Sequence, residues 1–528
     1  MNTKQREAVE VFGKDILVNA GAGSGKTTVL VERFVHAVTE QGVAPDRILA
    51  VTFTDLAANH MKCKLIERFA ALGREEDRRA LEGAYIGTIH SFCMRLLREN
   101  PIEAAVDPYF KVLSKPEADI LMAKAMDAAF EAQGERPLWI DFLVEREEKQ
   151  LREALSRLYA HFRATGEDER LLEIKKSADR KSFETKIRRL FEEIAVSLQK
   201  KDKLGKSEAA ALEASAYAGK IFCGKKIDTE IFEEARKIER SIKQQGSEFF
   251  QEWVLSFKKI LGLWKAAALQ DFSAPLKEEF LRTFQFFREN YESQKRTAAV
   301  FDFDDLVILA CRLLEGESPG KKAVRARYRE HFRHLLVDEF QDTSPLQARL
   351  IDLLRREGNL FTVGDKQQSI YSFRQADPAL FAKYEDSAGR KIILDENYRS
   401  RPKVLDFVNG FFEKEAAGAF GKLLAGKKFK LQGEGAVEIL PAFYGEDEEL
   451  KKLEEAREKE AAMLAGRLNA LVREKIKVEG PLPSGRPLEW GDIAVLLRSS
   501  TPMPVYERAF SRAGIPFYSP KSDRKSVV

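Results

Sequence analysis

Short apolar runs alternate with longer amphipathic stretches over the first hundred residues. The run Ile16–Ala20 predicts a short buried strand, and helical periodicity follows across residues 27–37. A second apolar run, Ile48–Thr52, precedes an amphipathic pattern near residues 57–70. Strands that alternate with helices are typical of βαβ units, so this part of the chain is expected to form a parallel sheet.

The pattern changes in the middle of the chain and then returns. Between residues 102 and 295, segments rich in Ala, Glu, Lys and Leu have helical periodicity, and strand-like runs nearly vanish. Strand-like runs resume at residues 334–338, Leu360–Gly364 and 391–394. We therefore expect an α/β fold in which a large helical insertion interrupts one parallel sheet.

A further unit is predicted after the sheet closes near residue 395. It begins with a strand-like run at residues 437–440 and a charged helix near residues 448–475. A Pro/Gly linker at residues 479–485 then precedes a predicted strand at residues 493–497.

Composition bounds the class of protein. The 528 residues are enough for about three or four domains. Lys and Arg number 88 against 84 Asp and Glu, a formal net charge of +4. This balance excludes a histone-like polycation but is compatible with a local basic groove.

Several other classes are disfavoured by what the sequence lacks. It contains no run of about 18 apolar residues, so no membrane span is expected. Residues 1–7 are polar and show no secretory signal. The four cysteines are scattered without a close pair, which disfavours disulfide scaffolds and Cys-rich metal sites. The sequence thus predicts a cytoplasmic, multidomain enzyme.

A glycine-rich loop joins the first predicted strand to the first helix. It has the P-loop pattern with Ala in place of the first glycine, and it reads Ala20-Gly21-Ala22-Gly23-Ser24-Gly25-Lys26-Thr27, followed by Thr28. Such a loop binds phosphate through backbone N–H groups at a helix N-terminus. Lys26 is expected to reach the β- and γ-phosphates of a nucleotide, and Thr27 to ligate Mg²⁺.

Two carboxylates follow a later apolar strand. Asp338 and Glu339 come directly after Leu335-Leu336-Val337, where side chains reach the ligand crevice of a parallel sheet. Asp338 suits the Mg²⁺ shell, and Glu339 suits a base that activates water. Alone, this pattern also fits a solvated strand end; together with the P-loop it indicates a nucleotide hydrolase.

Aromatic and arginine residues follow the next strand-like runs. Gln368 could sense a γ-phosphate, while Tyr371 and Phe373 offer ring faces for base stacking. Tyr398 and Arg399 form another aromatic–arginine pair, suited to a nucleobase and a phosphate. Spacing alone is also compatible with core packing for the first pair and an exposed turn for the second.

In this order the motifs resemble those of the UvrD/Rep-type superfamily 1 DNA helicases, most closely the AddA/RecB-like helicase–nuclease subunits. The resemblance covers nearly the whole chain and rests on Asn2-x-x-Gln5-x-x-Ala8-Val9, AGAGSGKT, Val51-Thr52-Phe53-Thr54, Gly87-Thr88-Ile89-His90-Ser91-Phe92, Phe301-Asp302-Phe303-Asp304-Asp305-Leu306, VDEFQDTSPLQ, VGDKQQSIYSFRQADP and ENYRS.

The resemblance implies roles at the nucleotide. Gln5 would contact the adenine edge and Tyr398 would stack on adenine. Arg399 would meet the γ-phosphate, and Gln368 would couple hydrolysis to DNA movement. The catalytic set would thus be Lys26, Asp338, Glu339, Gln368 and Arg399.

The resemblance also implies a single-stranded DNA path, lined by Phe53, Thr54, His90, Tyr371 and Phe373. Phe373 stands where many relatives carry Trp. This Phe and the following Ala376-Asp377-Pro378 favour the AddA-like branch. No chemistry is assigned to Asp304 and Asp305, for which a structural role is equally compatible.

The implied architecture is a RecA-like P-loop NTPase sheet with a helical insertion and a partial second RecA-like domain. Its expected boundaries are 1–104 and 296–395 for the two parts of the first domain, 105–295 for the inserted helical subdomain and 396–528 for the partial second domain.

The implied function is ATP-dependent 3′→5′ translocation and unwinding on single-stranded DNA in repair of double-strand breaks. ATP and Mg²⁺ are the implied cofactors. The implied partners are single-stranded and duplex-end DNA and a helicase–nuclease partner subunit, with no membrane. The alternatives are a UvrD-type helicase of excision repair, a non-hydrolysing ATP- and DNA-binding module and, with less support, an unrelated P-loop kinase or ATPase.

Two later family segments are missing from the sequence. No T-x-H-x-x-K-G segment and no Y-V-A-x-T-R-A-like segment with an arginine finger follow residue 402, and the last histidine is His334. An arginine finger is worth roughly 10³–10⁵ in rate. We therefore expect ATP binding with much reduced hydrolysis and little unwinding by this chain alone. A truncated gene, an incomplete gene model and half of a split enzyme all fit this pattern, and truncation is favoured.

Overall fold

A six-stranded parallel sheet forms the centre of the computed structural model. The strands of the described residues are β1 Ile16–Ala20, β2 Ile48–Thr52, β3 Tyr85–Thr88, β4 Lys111–Val112, β5 Val300–Phe301, β6 His334–Val337, β7 Leu360–Gly364, β8 Arg390–Leu394, β9 Glu396–Asn397, β10 Leu424–Ala425, β11 Lys477–Val478 and β12 Arg486–Pro487. The central sheet has the order β3-β2-β6-β7-β1-β8, and all its neighbouring strands are parallel.

The structure describes residues 1–145, 147–165, 180–223, 229–245, 247–369, 378–415, 421–427, 429, 431, 437–441, 453–479 and 485–519.

Helices account for most of the remaining chain. Their bounds are α1 Thr3–Glu10, α2 Lys26–Thr39, α3 Asp55–Ala71, α4 Glu75–Ala80, α5 Ile89–Glu99, α6 Pro101–Ala104, α7 Lys115–Gln133, α8 Pro137–Glu145, α9 Glu148–Thr165, α10 Arg180–Leu198, α11 Lys206–Ile221, α12 Thr229–Ser241, α13 Glu248–Thr297, α14 Phe303–Glu315, α15 Pro319–His331, α16 Pro345–Leu354, α17 Pro378–Ser387, α18 Pro402–Glu415, α19 Leu453–Arg473 and α20 Met503–Arg512.

Both faces of the sheet are buried, which explains its continuous apolar strands. Successive side chains of a strand point to opposite faces. Accordingly, Leu17 belongs to a core cluster with α5, α14 and α16, whereas Ile16 and Val18 belong to a second cluster with α2 and α3. The α/β fold with a parallel sheet and many helices is as predicted.

Five of the six sheet strands coincide with predicted apolar runs. The exception is β3, which sequence analysis missed. It has four residues and lies at the sheet edge, and its side chains alternate between half-buried and buried. A short edge strand of this kind lacks the continuous apolar signal of a central strand.

The described residues between the two groups of sheet strands are almost entirely helical. Helix α13 is 50 residues long and contains Pro275. Its first half packs with α10 to α12 in one core cluster, which includes Trp253 and Trp264. Its second half packs with α7 and α9 in another, which includes Phe284 and Tyr291.

Two predicted strands near the C-terminal end of the sequence are wrong. Residues 437–440 and 493–497 are described but form no strand, and Leu496 is 93% exposed. An apolar run becomes a strand only when a neighbour pairs with its backbone, and no described strand pairs with either segment. The predicted charged helix corresponds to α19, and residues 480–484 of the linker lie outside the described residues.

None of the helices in the described part of the chain combines the length and apolar character that a membrane crossing requires. All four cysteines are free thiols, with Cys93 and Cys311 buried and Cys63 and Cys223 exposed.

Candidate nucleotide site

The glycine-rich loop lies between the end of β1 and the start of α2. Gly23 and Gly25 have φ values of +72° and +89°, a region that L side chains rarely adopt. The Ser24 hydroxyl donates to the carbonyl oxygen of Gly21 at 2.7 Å and tightens the turn. Among the described residues, no side chain caps the N-terminus of α2 at Gly25. Its first N–H groups are therefore suited to an anion.

The segment after β8 holds this loop in place. The Asn397 side-chain amide donates to the Ala22 carbonyl at 2.6 Å, and the Tyr398 N–H donates to the Gly23 carbonyl at 2.8 Å. A Cβ atom on Gly23 would lie 2.7 Å from Cβ of Arg399, so this contact requires glycine. The structure thus brings Tyr398 and the exposed Arg399 to the loop, because the neighbouring Asn397 contacts Ala22 from 375 positions along the chain.

Asn397 is a site residue that sequence analysis did not single out. It is buried, and its side-chain oxygen accepts from the N–H groups of Arg399 at 2.9 Å and Ser400 at 2.8 Å. The available signal was its place in the ENYRS motif, directly before the predicted pair.

Gln5 lies on the other side of the loop. Its side-chain amide donates to the Ser24 carbonyl at 2.8 Å, and its Oε1 accepts from the Asn2 N–H at 3.0 Å. The Asn2 side chain donates in turn to the Tyr398 hydroxyl at 3.1 Å. The two predicted adenine-contacting residues are therefore joined through Asn2.

Tyr398 is an uncharged phenol at neutral pH. Partial burial and the hydrogen bond that it donates to Glu396 at 2.6 Å raise the pKa of Tyr398 to about 12. A neutral ring of this kind suits stacking against a nucleobase.

Lys26 and Glu339 form an ion pair at the carboxyl edge of the sheet. Their Nζ and Oε2 atoms are 2.6 Å apart, and the Lys26 side chain is only 11% exposed. Glu339 has a φ of +48°, an uncommon conformation for a residue other than glycine. Such backbone outliers are concentrated at functional sites.

Gln341 connects this pair to the next strand. Its amide donates to Glu339 Oε2 at 2.8 Å, and its Oε1 accepts from the Asp365 N–H at 2.9 Å. Asp365 accepts from the Gln368 side chain at 2.6 Å. A continuous chain of contacts therefore runs from Lys26 to Gln368. Sequence analysis missed Gln341, whose signal was its position within the DEFQDT motif.

Two carboxyl groups beside Glu339 have raised pKa values. Burial, followed by the neighbouring charge of Glu339, raises the pKa of Asp338 to about 6, although Lys26 acts in the opposite direction. The same two causes raise the pKa of Asp342 to about 6, and its buried Oδ1 has no hydrogen-bond partner among the described residues. A nearby cation would stabilise the charged forms of both groups.

The donor set fits Mg²⁺ bound together with a nucleotide. In the described part of the chain, no cluster of three or more His, Cys, Asp or Glu side chains could hold a metal ion. Mg²⁺ commonly uses one or two protein oxygens together with water and substrate phosphates. The half-buried Thr27 at the start of α2 and the buried Asp338 provide oxygens of this type. Thr28 is exposed and has no described contact with these groups.

The predicted DNA-contacting residues are only partly described. Phe53 and Thr54 follow β2, and the Thr54 hydroxyl accepts from the Ala57 N–H at 3.1 Å, which caps α3. The His90 ring lies edge-on to Phe303, with centroids 5.5 Å apart. Tyr371 and Phe373 lie outside the described residues.

A buried ion cluster lies beside the His90–Phe303 pair. Arg163 of α9 lies 2.5 Å from Asp302 and 2.9 Å from Asp305, while Lys295 of α13 lies 3.1 Å and 2.7 Å from the same residues. Asp302 and Asp305 also cap the start of α14. These contacts give Asp305 a structural role, whereas Asp304 is exposed and 3.7 Å from Arg163.

Comparison with known proteins gives a consistent family. The UvrD/REP helicase N-terminal domain matches residues 1–389. A Bacillus licheniformis protein, whose name describes one subunit of an ATP-dependent helicase/nuclease, is 30% identical over 98% of this chain and 48% of its own length. A Staphylococcus aureus protein of the same name is 28% identical over 97% of this chain and 48% of its own length. The chain spans about half the length of these curated relatives.

Proposed function

We propose a function from one premise: the chain belongs to the UvrD/REP helicase family. It is the ATP-binding part of a DNA helicase that moves 3′→5′ along single-stranded DNA. The observation that carries this proposal is the contact chain from Lys26 through Glu339, Gln341 and Asp365 to Gln368. Such a chain could link events at a phosphate to the segment that follows β7.

Phosphate binding would use the loop and Lys26. The loop N–H groups and the Lys26 ammonium would bind the β- and γ-phosphates of ATP, in competition with the ion pair to Glu339. Released from Lys26, the Glu339 carboxylate would be available to orient or activate the attacking water. Thr27 and Asp338 would hold Mg²⁺, which neutralises phosphate charge during phosphoryl transfer.

The remaining nucleotide contacts would come from both sides of the loop. Gln5 would contact the adenine edge, and the Tyr398 ring would stack on the base. Arg399 would meet the γ-phosphate, which is supported by its position against Gly23. Its guanidinium suits phosphate because it offers several donors in one plane.

We also propose the domain division that was predicted from the sequence. Residues 1–104 and 296–395 would form the RecA-like domain, since all strands of the central sheet fall within them. Residues 105–295 would be the inserted helical subdomain, and residues 396–528 part of a second RecA-like domain.

The DNA path would follow the carboxyl edge of the sheet. Phe53, Thr54 and His90 would line it, together with Tyr371 and Phe373 from outside the described residues. A partner subunit, a cytoplasmic location and repair of double-strand breaks are proposals supported by the relatives, which are named as one subunit of a helicase/nuclease.

The test compares Lys26→Ala with the exposed control Lys124→Ala. Affinity for a fluorescent ATP analogue and ATP turnover are measured with and without single-stranded DNA. Lys26→Ala should weaken nucleotide binding at least about tenfold, because a charge-assisted contact is lost. The Lys124 variant should behave as the parent chain.

Equal nucleotide affinity in the two variants would contradict the proposed site. Nucleotide binding without turnover, together with salt-sensitive binding of single-stranded DNA, would instead favour an ATP- and DNA-binding module.

A further inference from the structure

A second concave site lies at the edge of the sheet opposite the P-loop. Its volume is about 760 Å³, and its lining includes Phe12, Gln41, Arg47, Arg333, His334 and Arg356. These residues precede or begin the amino ends of β1, β2, β6 and β7, whereas the P-loop and Glu339 follow carboxyl ends. The two sites are therefore on opposite edges of one sheet.

The lining of this cavity is basic. Arg47, Arg333 and Arg356 contribute to it, and Glu357 is the one acidic residue among the lining residues that the structure describes. Within the described ranges, none of the three arginines forms an ion pair with a carboxylate. Arg47 and Arg333 are both exposed. They are neighbours in space, since the Arg333 N–H donates to the Arg47 carbonyl at 2.8 Å.

A fourth arginine lies behind the lining and has no carboxylate partner in the described part of the chain. Arg33 is 2% exposed and donates to the carbonyl oxygens of Ala8 and Val11, each at 2.7 Å. Its guanidinium lies 4.0 Å from the centre of the Phe12 ring and 4.4 Å from that of Phe361. Across the described chain its Nε has no hydrogen-bond partner.

The buried His334 also lies among these arginines. Its ring lies 4.9 Å from Phe12, and its Nε2 lies 3.3 Å from Gln41 Oε1. Burial, followed by the charges of Arg33, Arg333 and Arg356, lowers the pKa of His334 to about 4. The imidazole therefore stays neutral at physiological pH, and the excess charge comes from the arginines.

Only some of the hydrogen-bond donors of the lining arginines are used within the described fold. Arg356 donates from Nη2 to the Phe332 carbonyl at 3.1 Å, but its buried Nε is unpartnered in the described structure. The exposed guanidinium groups of Arg47 and Arg333 make no hydrogen bond within the described residues. Planar donors without counter-charges suit phosphate oxygens.

We propose that this cavity binds a compact oligophosphate, two or more linked phosphate groups of a nucleotide or an inorganic polyphosphate. The volume falls within the range of roughly 300–1,000 Å³ for small-molecule sites. A site for a nucleic-acid backbone would instead be an extended groove with aromatic side chains on which the bases stack. The site is additional to the proposed helicase function and does not depend on it.

The experiment uses inorganic tripolyphosphate as the probe and Lys26→Ala as the background, which weakens the P-loop. Titration calorimetry at low salt should detect binding to the Lys26→Ala chain. Adding Arg47→Gln and Arg333→Gln should weaken it at least about tenfold. The charge-matched control adds Arg79→Gln and Arg312→Gln, exposed positions that are not among the described lining residues, and should retain it.

A second pair of variants avoids removing any arginine. Ala44 lies exposed in the cavity lining, so Ala44→Glu should repel the anion while Ala44→Gln should not. Failure of the Lys26→Ala chain to bind tripolyphosphate would overturn the proposal, as would equal binding after loss of Arg47 and Arg333. Binding of a short single-stranded oligonucleotide through these arginines, without tripolyphosphate binding, would assign the cavity to nucleic acid and also overturn it.

A further measurement tests whether the cavity and the P-loop are separate sites. It determines the affinity for the ATP analogue of the chain that carries Arg47→Gln and Arg333→Gln but keeps Lys26. Retained affinity there, with lost tripolyphosphate binding in the Lys26→Ala background, is the expected result. Loss of nucleotide binding in that variant would show that the cavity and the P-loop are not separate sites, and would overturn the assignment.

Discussion

Asp338 illustrates at the scale of a residue how a binding site can oppose folding. Its carboxylate is buried beside Glu339, and its pKa is raised to about 6. In the unfolded chain the ordinary value is about 3.9. The folded state therefore holds this proton more tightly than the unfolded chain, so stability falls as the pH rises from about 4 to about 6, and the full cost is present above pH 6.

The isosteric variant Asp338→Asn should thus be more stable than the parent chain at pH 7.5, by about 1–3 kcal/mol. Its side-chain oxygen can still accept from the Glu339 N–H, a contact of 2.9 Å in the parent. Urea denaturation at several pH values would measure the difference. The gain should be complete above pH 6 and fade between pH 6 and 4, as the parent carboxylate becomes neutral. A gain that is constant across this range would exclude the carboxylate charge as its cause.

The same variant should lose Mg²⁺-dependent nucleotide hydrolysis, because the amide cannot supply a charged oxygen to the cation. Stability and activity would then change in opposite directions. This separates a functional carboxylate from one that is merely structural.

At the scale of secondary-structure elements, the buried ion cluster leads to a prediction about the free energy of unfolding. Arg163 and Lys295 fix α9 and α13 to the carboxylates that cap α14. Removing one member of a buried charge cluster leaves its partners uncompensated, at a cost of about 3–5 kcal/mol. Arg163→Met should therefore lower the free energy of unfolding by that amount in urea denaturation.

Arg157→Met on the same helix is the matched control. Its side chain is 81% exposed and forms an ion pair with Glu153 at 3.3 Å. Exposed pairs contribute only about 0–1 kcal/mol, so this variant should unfold almost as the parent does. Similar losses in both variants would mean that the cluster does not stabilise the junction of α9, α13 and α14.

The elements also show what sequence could and could not predict. Central strands such as Ile48–Thr52 were predictable because burial on both faces makes them continuously apolar. The edge strand Tyr85–Thr88 was not, and residues 493–497 were predicted as a strand that the structure lacks. Apolar runs report burial, whereas a strand also needs a paired neighbour.

At the candidate site, sequence patterns predict individual residues but not the contacts between them. The glycine loop and Asp338-Glu339 have local signatures, so they were predictable. The contact of Asn397 with Ala22 joins residues 375 positions apart, and no local pattern encodes it. The bridging position of Gln341 between Glu339 and Asp365 likewise emerges only when β6 and β7 become neighbours.

At the scale of the whole molecule, separate cores should unfold separately. The sheet is buried by two clusters, whereas α10 to α13 form a cluster that shares no residue with them. ATP with Mg²⁺ should stabilise only the part that contains the P-loop, by about 2.7 kcal/mol at a hundred times the dissociation constant.

Calorimetric unfolding should therefore show one transition that rises in temperature with ATP and one that does not. The Lys26→Ala chain supplies the control, in which the ATP-sensitive transition should shift clearly less at the same ATP concentration. A single transition that shifts as a whole would show that the helical region and the sheet unfold as one cooperative unit.

Helix α13 gives this arrangement a mechanical consequence. At 1.5 Å per residue its 50 residues extend roughly 75 Å, and its last turn carries Lys295 of the ion cluster. A straight helix of that length converts a tilt of about 5° at one end into a displacement of about 6 Å at the other, and Pro275 is the position at which α13 can bend. A small rearrangement near α14 would thus displace the first turns of α13, together with any group that contacts them.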